Sequence, residues 1–590
     1  MIILGLNFSH DGSGAIVKDG RTLAAVSSER ITRRKKCRGV PPSVVDYLLQ
    51  TADLRIEDVD VFAVCNWCGD LLDAQCLYNK EADGWTAVET STGVSLTSEL
   101  YHKSYPFGES WGFTMHYRGI EKPLILVNHH LAHAAYSYYM SPHNDAVSVA
   151  IDVADERGYT NSVVDFADGG KHFRILKHDS SFCLGSLYSM ACDCMGFWPS
   201  VVGAGKVMAL AAYGKPHENY TRLVDTPLFY DSAINELLSL LGITLPLYHT
   251  LYPQLEGEGG KPDSLWLDKH AWREPQSTSL AATVQAILED ALLSYFTKLR
   301  CRTARTNLCL SGGTMLNCVA NGVISRSGLF ENVFVAPACG DDGLSVGAAL
   351  LLSNCLSMRG QDIVREPRTK LAVENRAVFE GGKCYSSMDI DLAIEKYRAM
   401  LEARHTKASF VEDDSDLASI VAQYIADGKV VAWFYRGSEM GPRALGHRSI
   451  LADPRRADMR DILNLKVKHR EEFRPFAPSV LKEHAEEWFD TQGKDSPFML
   501  ISMQCKKPDL IPAVCHVDGS SRIQTVDADN NGRYYEVVKA FYEKTGVPCI
   551  VNTSFNVQGE PIVETPSDAI KCFLGTQIDV LVLENTIITK

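Results

Sequence analysis

Residues 2–20 read Ile2-Ile3-Leu4-Gly5-Leu6-Asn7-Phe8-Ser9-His10-Asp11-Gly12-Ser13-Gly14-Ala15-Ile16-Val17-Lys18-Asp19-Gly20. Apolar runs broken by a polar, Gly-rich turn and then by Asp-Gly predict a β-meander, with strands over Ile2 to Asn7, Ala15 to Lys18 and Thr22 to Ser27. Pro41 and Pro42 stand where proline is tolerated at a helix start, and Val44, Val45, Tyr47, Leu48 and Leu49 follow at helical spacing. Strand-like stretches return at Val59 to Cys65, Pro123 to Asn128 and Ala146 to Ala154. Alternating strands and helices make the fold class α/β.

Further along, the pattern predicts a long helix over Ser279 to Cys301, a strand at Asn307 to Leu310, a helix over Met315 to Ser325, a strand at Asn332 to Pro337 and an apolar helix from Leu344 to Cys355. Residues 66–122 and 215–275 lose periodicity and gather aromatics such as Trp67, Trp111, Tyr230 and Trp266. They read as insertions, either anchored by those aromatics or shaping an acceptor pocket. Residues 356–376 are polar and poorly periodic, as a linker would be. Beyond them a helix is predicted over Leu417 to Ala426, and strands at Val430 to Tyr435, Pro548 to Val551 and Val580 to Leu583. No internal repeat is visible.

Composition sets the outer limits. The 590 residues are 45% hydrophobic and 22% charged, a globular profile that disfavours disordered, collagen-like and coiled-coil readings. A net charge of −14 weighs against a general nucleic-acid binder. Cys65 and Cys68 form one C-x-x-C with Cys76 nearby, but no second pair stands at zinc-ribbon spacing, so the trio reads as buried thiols. Scattered cysteines, an opening apolar run too short for a signal core, and no stretch near the ~18 apolar residues of a membrane helix lead to the expectation of a cytoplasmic protein.

Three groups of residues carry chemistry. His129 and His133 follow a strand at i, i+4 spacing and share one helix face. With Asp152 at the next strand end and Asp341 in Cys339-Gly340-Asp341-Asp342-Gly343 they make a candidate His2Asp2 shell, suited to Fe(II), Mn(II) or Zn(II) more than to soft copper. The same histidines also read as hydrogen-bonded residues of a helix start. Ser311-Gly312-Gly313-Thr314 reads either as a backbone-amide cradle for a nucleotide or as a tight turn. It has neither P-loop nor Rossmann spacing. Finally, Arg443, Arg448, Lys468, Arg470, Arg474 and Arg522, with Asn552 and Ser554 downstream, concentrate phosphate-binding chemistry in the second half.

Read together with Asn7-Phe8-Ser9-His10-Asp11, Ser28-Glu29-Arg30, His129 through Ala135, Lys206 through Gly214, Met440 through Gly446, Phe473 through Pro478 and Asn552 through Asn556, these segments resemble the O-carbamoyltransferases of natural-product tailoring. That family includes enzymes acting on nodulation factors, cephems, ansamycins and aminoglycosides. The resemblance spans nearly the whole chain. It implies an actin/hexokinase-like ATPase-fold (Kae1-like) domain over 1–355, the linker, and a YrdC-like α/β domain over 377–590.

The resemblance further implies a two-site reaction. The YrdC-like domain makes carbamoyladenylate from carbamoyl phosphate and ATP, with Mg2+ accompanying the nucleotide, and Arg443, Lys468, Arg474, Arg522, Asn552 and Ser554 bind these substrates. In the first domain Gly312, Gly313, Asn317 and Lys36 hold the adenylate, and His129, His133, Asp152 and Asp341 hold Fe(II) or another divalent metal. His10 is the candidate general base for the acceptor hydroxyl, with Asp11 orienting it or the substrate; simple substrate hydrogen bonding by His10 stays open. The acceptor is expected to be a small, polar or cationic molecule. Nucleic acid and membrane are excluded as partners, and a homodimer is left open.

One motif departs from the family. Where D-G-x-G-E is usual, this chain has Asp152-Val153-Ala154-Asp155-Glu156, so neither position has the positive-φ freedom of glycine. Asp152 is therefore a less secure ligand than the two histidines. Two other readings share parts of this pattern. A hydrogenase-maturation type carbamoyltransferase acting on a protein partner expects paired C-x-x-C motifs ahead of the YrdC-like part, and these are missing. An actin-fold kinase or nucleotide sensor leaves the arginine-rich second half without a use, and a kinase releases ADP in place of AMP.

Overall fold

The computed structural model describes residues 1–65, 85–89, 113–153, 158–180, 183–197, 200–224, 239, 271–273, 275–360, 362–371 and 379–590. Strands β1 (Ile2–Asn7), β2 (Ser13–Lys18) and β3 (Arg21–Ser27) form the antiparallel meander that the opening residues predict. β4 (Val61–Cys65) pairs parallel with β1, and β5 (Trp85–Glu89), β6 (Phe113–Tyr117) and β7 (Ile120–Leu126) extend the sheet in the order β3-β2-β1-β4-β7-β6-β5. The rest of the 66–122 stretch and most of 215–275, including Cys68, Cys76 and the aromatics quoted from them, lie outside the described residues.

A second sheet holds β8 (Ala146–Ile151), β9 (Asn161–Ala167), β10 (His172–Asp179), β11 (Asn307–Ser311) and β12 (Asn332–Val335) in the order β10-β9-β8-β11-β12. Its first three strands are an antiparallel meander and the next two run parallel to β8. This repeats the order and directions of β3-β2-β1-β4-β7. The first half is therefore built on a duplicated unit that no sequence repeat betrays, and this duplication is the actin/hexokinase-like arrangement.

Two helices, His129–Met140 and Leu344–Cys355, pack against each other and against the two sheets, and every residue in both is buried. Their contact demands small residues: a Cβ on Gly347 would lie 2.1 Å from Ala132 O, and one on Gly5 of β1 would lie 2.1 Å from Ser345 O. The helix predicted over Met315 to Ser325 is interrupted. Gly313–Leu316 is a 3-10 turn, and Cys318–Arg326 starts anew with Asn317 as its N-cap, accepting from Ala320 N at 3.0 Å.

The stretch 356–376 contains a hairpin, β13 (Leu356–Arg359) with β14 (Asp362–Arg365). Lys370 then buries its ammonium against Tyr138 O at 3.0 Å and Ser141 O at 2.7 Å, at the carbonyl end of the helix His129–Met140. The second half is organised by an eight-stranded mixed sheet: β15 (Lys407–Phe410), β16 (Val431–Phe434), β17 (Arg448–Ala452), β18 (Ala477–Leu481), β21 (Gln524–Val526), β22 (Cys549–Ser554), β23 (Val580–Leu583) and β24 (Thr586–Thr589), ordered β15-β24-β23-β16-β17-β22-β18-β21. A short ladder of β19 (Ser502–Gln504) and β20 (Ser520–Arg522) lies beside it. The second half is thus a separate α/β unit built on its own sheet and core.

The halves are joined by specific contacts. Arg30 donates to Gly441 O at 3.0 Å, Arg33 to Pro561 O and Ile562 O at 2.9 and 2.7 Å, and the Tyr47 hydroxyl to Glu564 at 2.6 Å. Among the described residues no helix is long and apolar enough to cross a membrane.

Candidate functional site

The helix His129–Met140 starts at the end of a strand because Asn128 caps it, accepting from Leu131 N at 3.0 Å. The cap sets both histidines on one face, where β8 and the 3-10 turn at Asp341–Gly343 deliver two carboxylates. His133 Nε2 lies 3.2 Å from Asp152 Oδ2 and 3.4 Å from Asp341 Oδ1; His129 Nε2 lies 3.5 and 3.6 Å from the same atoms. One ligand atom from each residue falls within 4.8 Å of all the others. Two imidazole nitrogens and two carboxylate oxygens, buried except for the half-buried Asp152 and convergent from three segments, fit a divalent cation by donor type and number.

Burial opposes the charge on Asp152, yet hydrogen bonds from His129 and then His133 hold its carboxyl well below the usual range. Burial opposes Asp341 as well, and His129 and His10 overcome it in the same direction. Asp152 also accepts from Gly313 N at 3.0 Å and from Val153 N at 2.7 Å. The loss of the family's first glycine at Val153 thus leaves Asp152 in the cluster; Asp155 lies outside the described residues.

The meander turn brings the other groups in. His10 Nδ1 stands 3.2 Å from Asp341 Oδ2, and its Nε2 3.6 Å from Asp11 Oδ2. Lys36 closes the row with Nζ at 2.6 Å from the same Asp11 oxygen. Burial works against charge on His10, but Asp341 and then Asp11 raise its pKa above the ordinary histidine value. Asp342, which the sequence offered only as a neighbour of Asp341, is pushed up to about 7 by burial and then by Asp11.

Gly312 has φ +96°, and its Cβ would strike Ile151 O at 2.2 Å, so glycine is required there. Its N–H donates to Cys339 O at 2.7 Å. Asn317 is buried, its side chain engaged by its capping bond, by Gln285 at 2.9 Å and by Tyr188 at 3.1 Å.

The second cluster lines a cavity of about 700 Å3 that contains Arg443, Lys468, Arg470, Arg474, Arg522, Asn552 and Ser554. Lys468 is fixed by the loop after β22, donating to Asn556 O at 3.0 Å and Oδ1 at 2.9 Å and to Ser554. Asn552 donates to Ser479 Oγ and Gln524 Oε1, both at 3.0 Å, while its buried Oδ1 has no partner among the described residues. The buried Nε atoms of Arg443 and Arg522 are likewise unpartnered. Burial and then Arg522 push Arg443 down to about 9; burial and then Arg470 push Lys468 far down. Crowded cations with open donors make this cavity complementary to a polyanion.

Arg448, which the sequence groups with these cations, is not among the cavity residues. It is fully buried, donates to Tyr435 O at 2.9 Å and lies 3.5 Å over the Phe434 ring. Two lysines of the first half, Lys35 and Lys206, also line the cavity. Their only signal was a basic run after Arg33 and a Lys-Val-Met-Ala motif.

Comparison with known proteins adds a family. Residues 2–350 match the carbamoyltransferase N-terminus family and residues 422–590 the carbamoyltransferase C-terminus family. The chain is 33% identical to nodulation protein NolNO of Sinorhizobium fredii over 99% of this chain and 79% of that one. It is 28% identical to the 3'-hydroxymethylcephem-O-carbamoyltransferase of Amycolatopsis lactamdurans, covering 97% and 96% of the two chains. Among solved structures, full-length HypF in its phosphate- and nucleotide-bound form aligns at a TM-score of 0.28 and 16% identity, over 60% of this chain and 55% of that one.

Proposed function

The chain belongs to the carbamoyltransferase family, and on that premise we propose that it is an ATP-dependent O-carbamoyltransferase acting on a small hydroxyl-bearing molecule. The observation that carries this reading is the cavity of crowded cations with unpartnered donors in the second half, paired with a separate acid–base site in the first.

In the second half, carbamoyl phosphate loses its phosphate by hydrolysis. The resulting carbamate oxygen attacks the α-phosphorus of ATP, pyrophosphate leaves with its electron pair, and carbamoyladenylate forms. Arg443, Lys468, Arg474 and Arg522 offset the negative charge of both substrates, and Asn552 and Ser554 orient them. Magnesium accompanies the nucleotide as its counterion.

In the first half, the acceptor hydroxyl attacks the carbonyl carbon of the intermediate and AMP leaves. With Nδ1–H directed to Asp341, His10 Nε2 takes the hydroxyl proton, and Asp11, held by Lys36, stabilises the imidazolium. His129, His133, Asp152 and Asp341 would hold a divalent ion, iron(II) by family resemblance, which would supply Lewis acidity when bound.

Incubating the protein with ATP, carbamoyl phosphate and a panel of polar hydroxyl compounds tests the reading. A product heavier by one carbamoyl group, formed together with AMP and pyrophosphate, is expected. ADP as the nucleotide product would contradict it.

A further inference from the structure

The cavity that gathers the second-half cations is closed on one side by the first half. The helix Ser200–Ala211 presents Gly205 and Lys206 to it, and Gln285 and Cys318 continue that wall. Lys206 Nζ lies 2.7 Å from Glu471 Oε1, while the other oxygen of the same carboxylate is 3.5 Å from Arg474. One carboxylate therefore spans a cation from each half. Lys206 and Arg474 flank its two oxygens, a spacing that two oxygens of one phosphate group also bridge.

We propose that Lys206 is a substrate-binding residue of the second-half site, contacting the polyphosphate of the nucleotide, and that Glu471 is a positioning residue holding Lys206 and Arg474 for that contact. Glu471 does not line the cavity, so it acts through the two cations. The nucleotide site is complete only with the first half docked. This inference rests on the reading of that cavity as the ATP site and adds a residue from the other half to it.

Pyrophosphate release and ATP binding by calorimetry are measured on the full-length chain. Lys206→Met is expected to raise KM for ATP and weaken ATP binding roughly 10-fold or more, as loss of one charge-assisted contact would, with KM for carbamoyl phosphate little changed. Lys206→Arg restores most of the affinity. Glu471→Gln shifts KM for ATP in the same direction by a smaller factor. Gly205→Leu gives a second probe: Gly205 is an exposed residue lining the cavity, and a Cβ there meets nothing within 4 Å, so the larger side chain is accommodated without disturbing the packing and is expected to raise KM for ATP. Unchanged KM and ATP affinity in Lys206→Met, with pyrophosphate release intact in the wild type, overturns the role of Lys206 and leaves the function standing. Wild-type protein that binds ATP through Lys206 but releases no pyrophosphate overturns the function and leaves this inference standing. Absence of ATP binding in the wild type overturns both.

Discussion

His10 and Asp341 are joined across the first half: Nδ1 of the meander-turn histidine stands 3.2 Å from the Oδ2 of an aspartate whose Oδ1 faces His133 at 3.4 Å. The carboxylate thus belongs to two systems at once, the acid–base residue and the candidate metal cluster. His10 remains 42% exposed at its side chain, open to an incoming acceptor, whereas His133 is fully buried.

Removing the imidazole should separate the two half-reactions. His10→Asn is expected to lower carbamoyl transfer by roughly 100-fold or more, in the range of a lost general base, while pyrophosphate release from ATP and carbamoyl phosphate stays within about 2-fold. Parallel assays of both products check this. An equal loss in the two would show that His10 does not act on the acceptor.

The His2Asp2 cluster should bind metal in stoichiometric amount. Elemental analysis of the purified chain is expected to find one divalent ion per chain, and His133→Ala to lose it. Pyrophosphate release should persist in that variant, because the cations of the second cavity do not include the cluster. A metal content unchanged by His133→Ala would reject these ligands.

Acid should destabilise the protein in part through His143. Burial, and then the nearby Lys370 ammonium, lower its pKa from 6.5 to about 4. Between these values the unfolded chain binds the proton and the folded chain does not, so stability falls as pH drops from about 6.5 towards 4. Denaturant titrations should show a shallower decline over this window in His143→Gln than in the wild type. Identical slopes would remove His143 as a contributor.

Helix contact in the first half allows little room for growth. Gly347→Val would place atoms against Ala132 O and Tyr136 Cβ, which a Cβ alone would approach at 2.1 and 2.8 Å. Backbone gives way reluctantly, and a destabilisation of about 3 kcal/mol or more is expected. A thermal melt showing a transition lowered by several degrees or lost would bear this out, and an unchanged melt would refute the tight helix pairing.

Local patterns were legible where one element decides its own conformation. The meander and the helix Leu344–Cys355 were readable because alternation, Gly turns and an unbroken apolar run are local signals. The duplicated sheet was not, since two copies can keep strand order and direction while their side chains diverge. The break at Asn317 was missed because a capping side chain competes with helix continuation only once Ala320 N is in reach.

The metal-type cluster was readable from i, i+4 histidines, but its convergence with Asp341 depends on a separation of about two hundred residues that only tertiary structure closes. Charge type alone could not distinguish Arg448, stacked over Phe434 in the core, from Arg443 in the cavity. Nor could it reveal that Lys206 of the first half faces the second-half site.

The central claim is that the second-half cavity makes an adenylate. Exchange of labelled pyrophosphate into ATP, with and without carbamoyl phosphate, tests it most directly, since exchange requires reversible formation of the acyl-adenylate. The account predicts exchange that depends on carbamoyl phosphate, falls roughly 10- to 100-fold in Arg474→Ala as a charge-assisted phosphate contact is lost, and survives in His129→Ala. Exchange that is absent in the wild type, or that persists unchanged in Arg474→Ala, would contradict it.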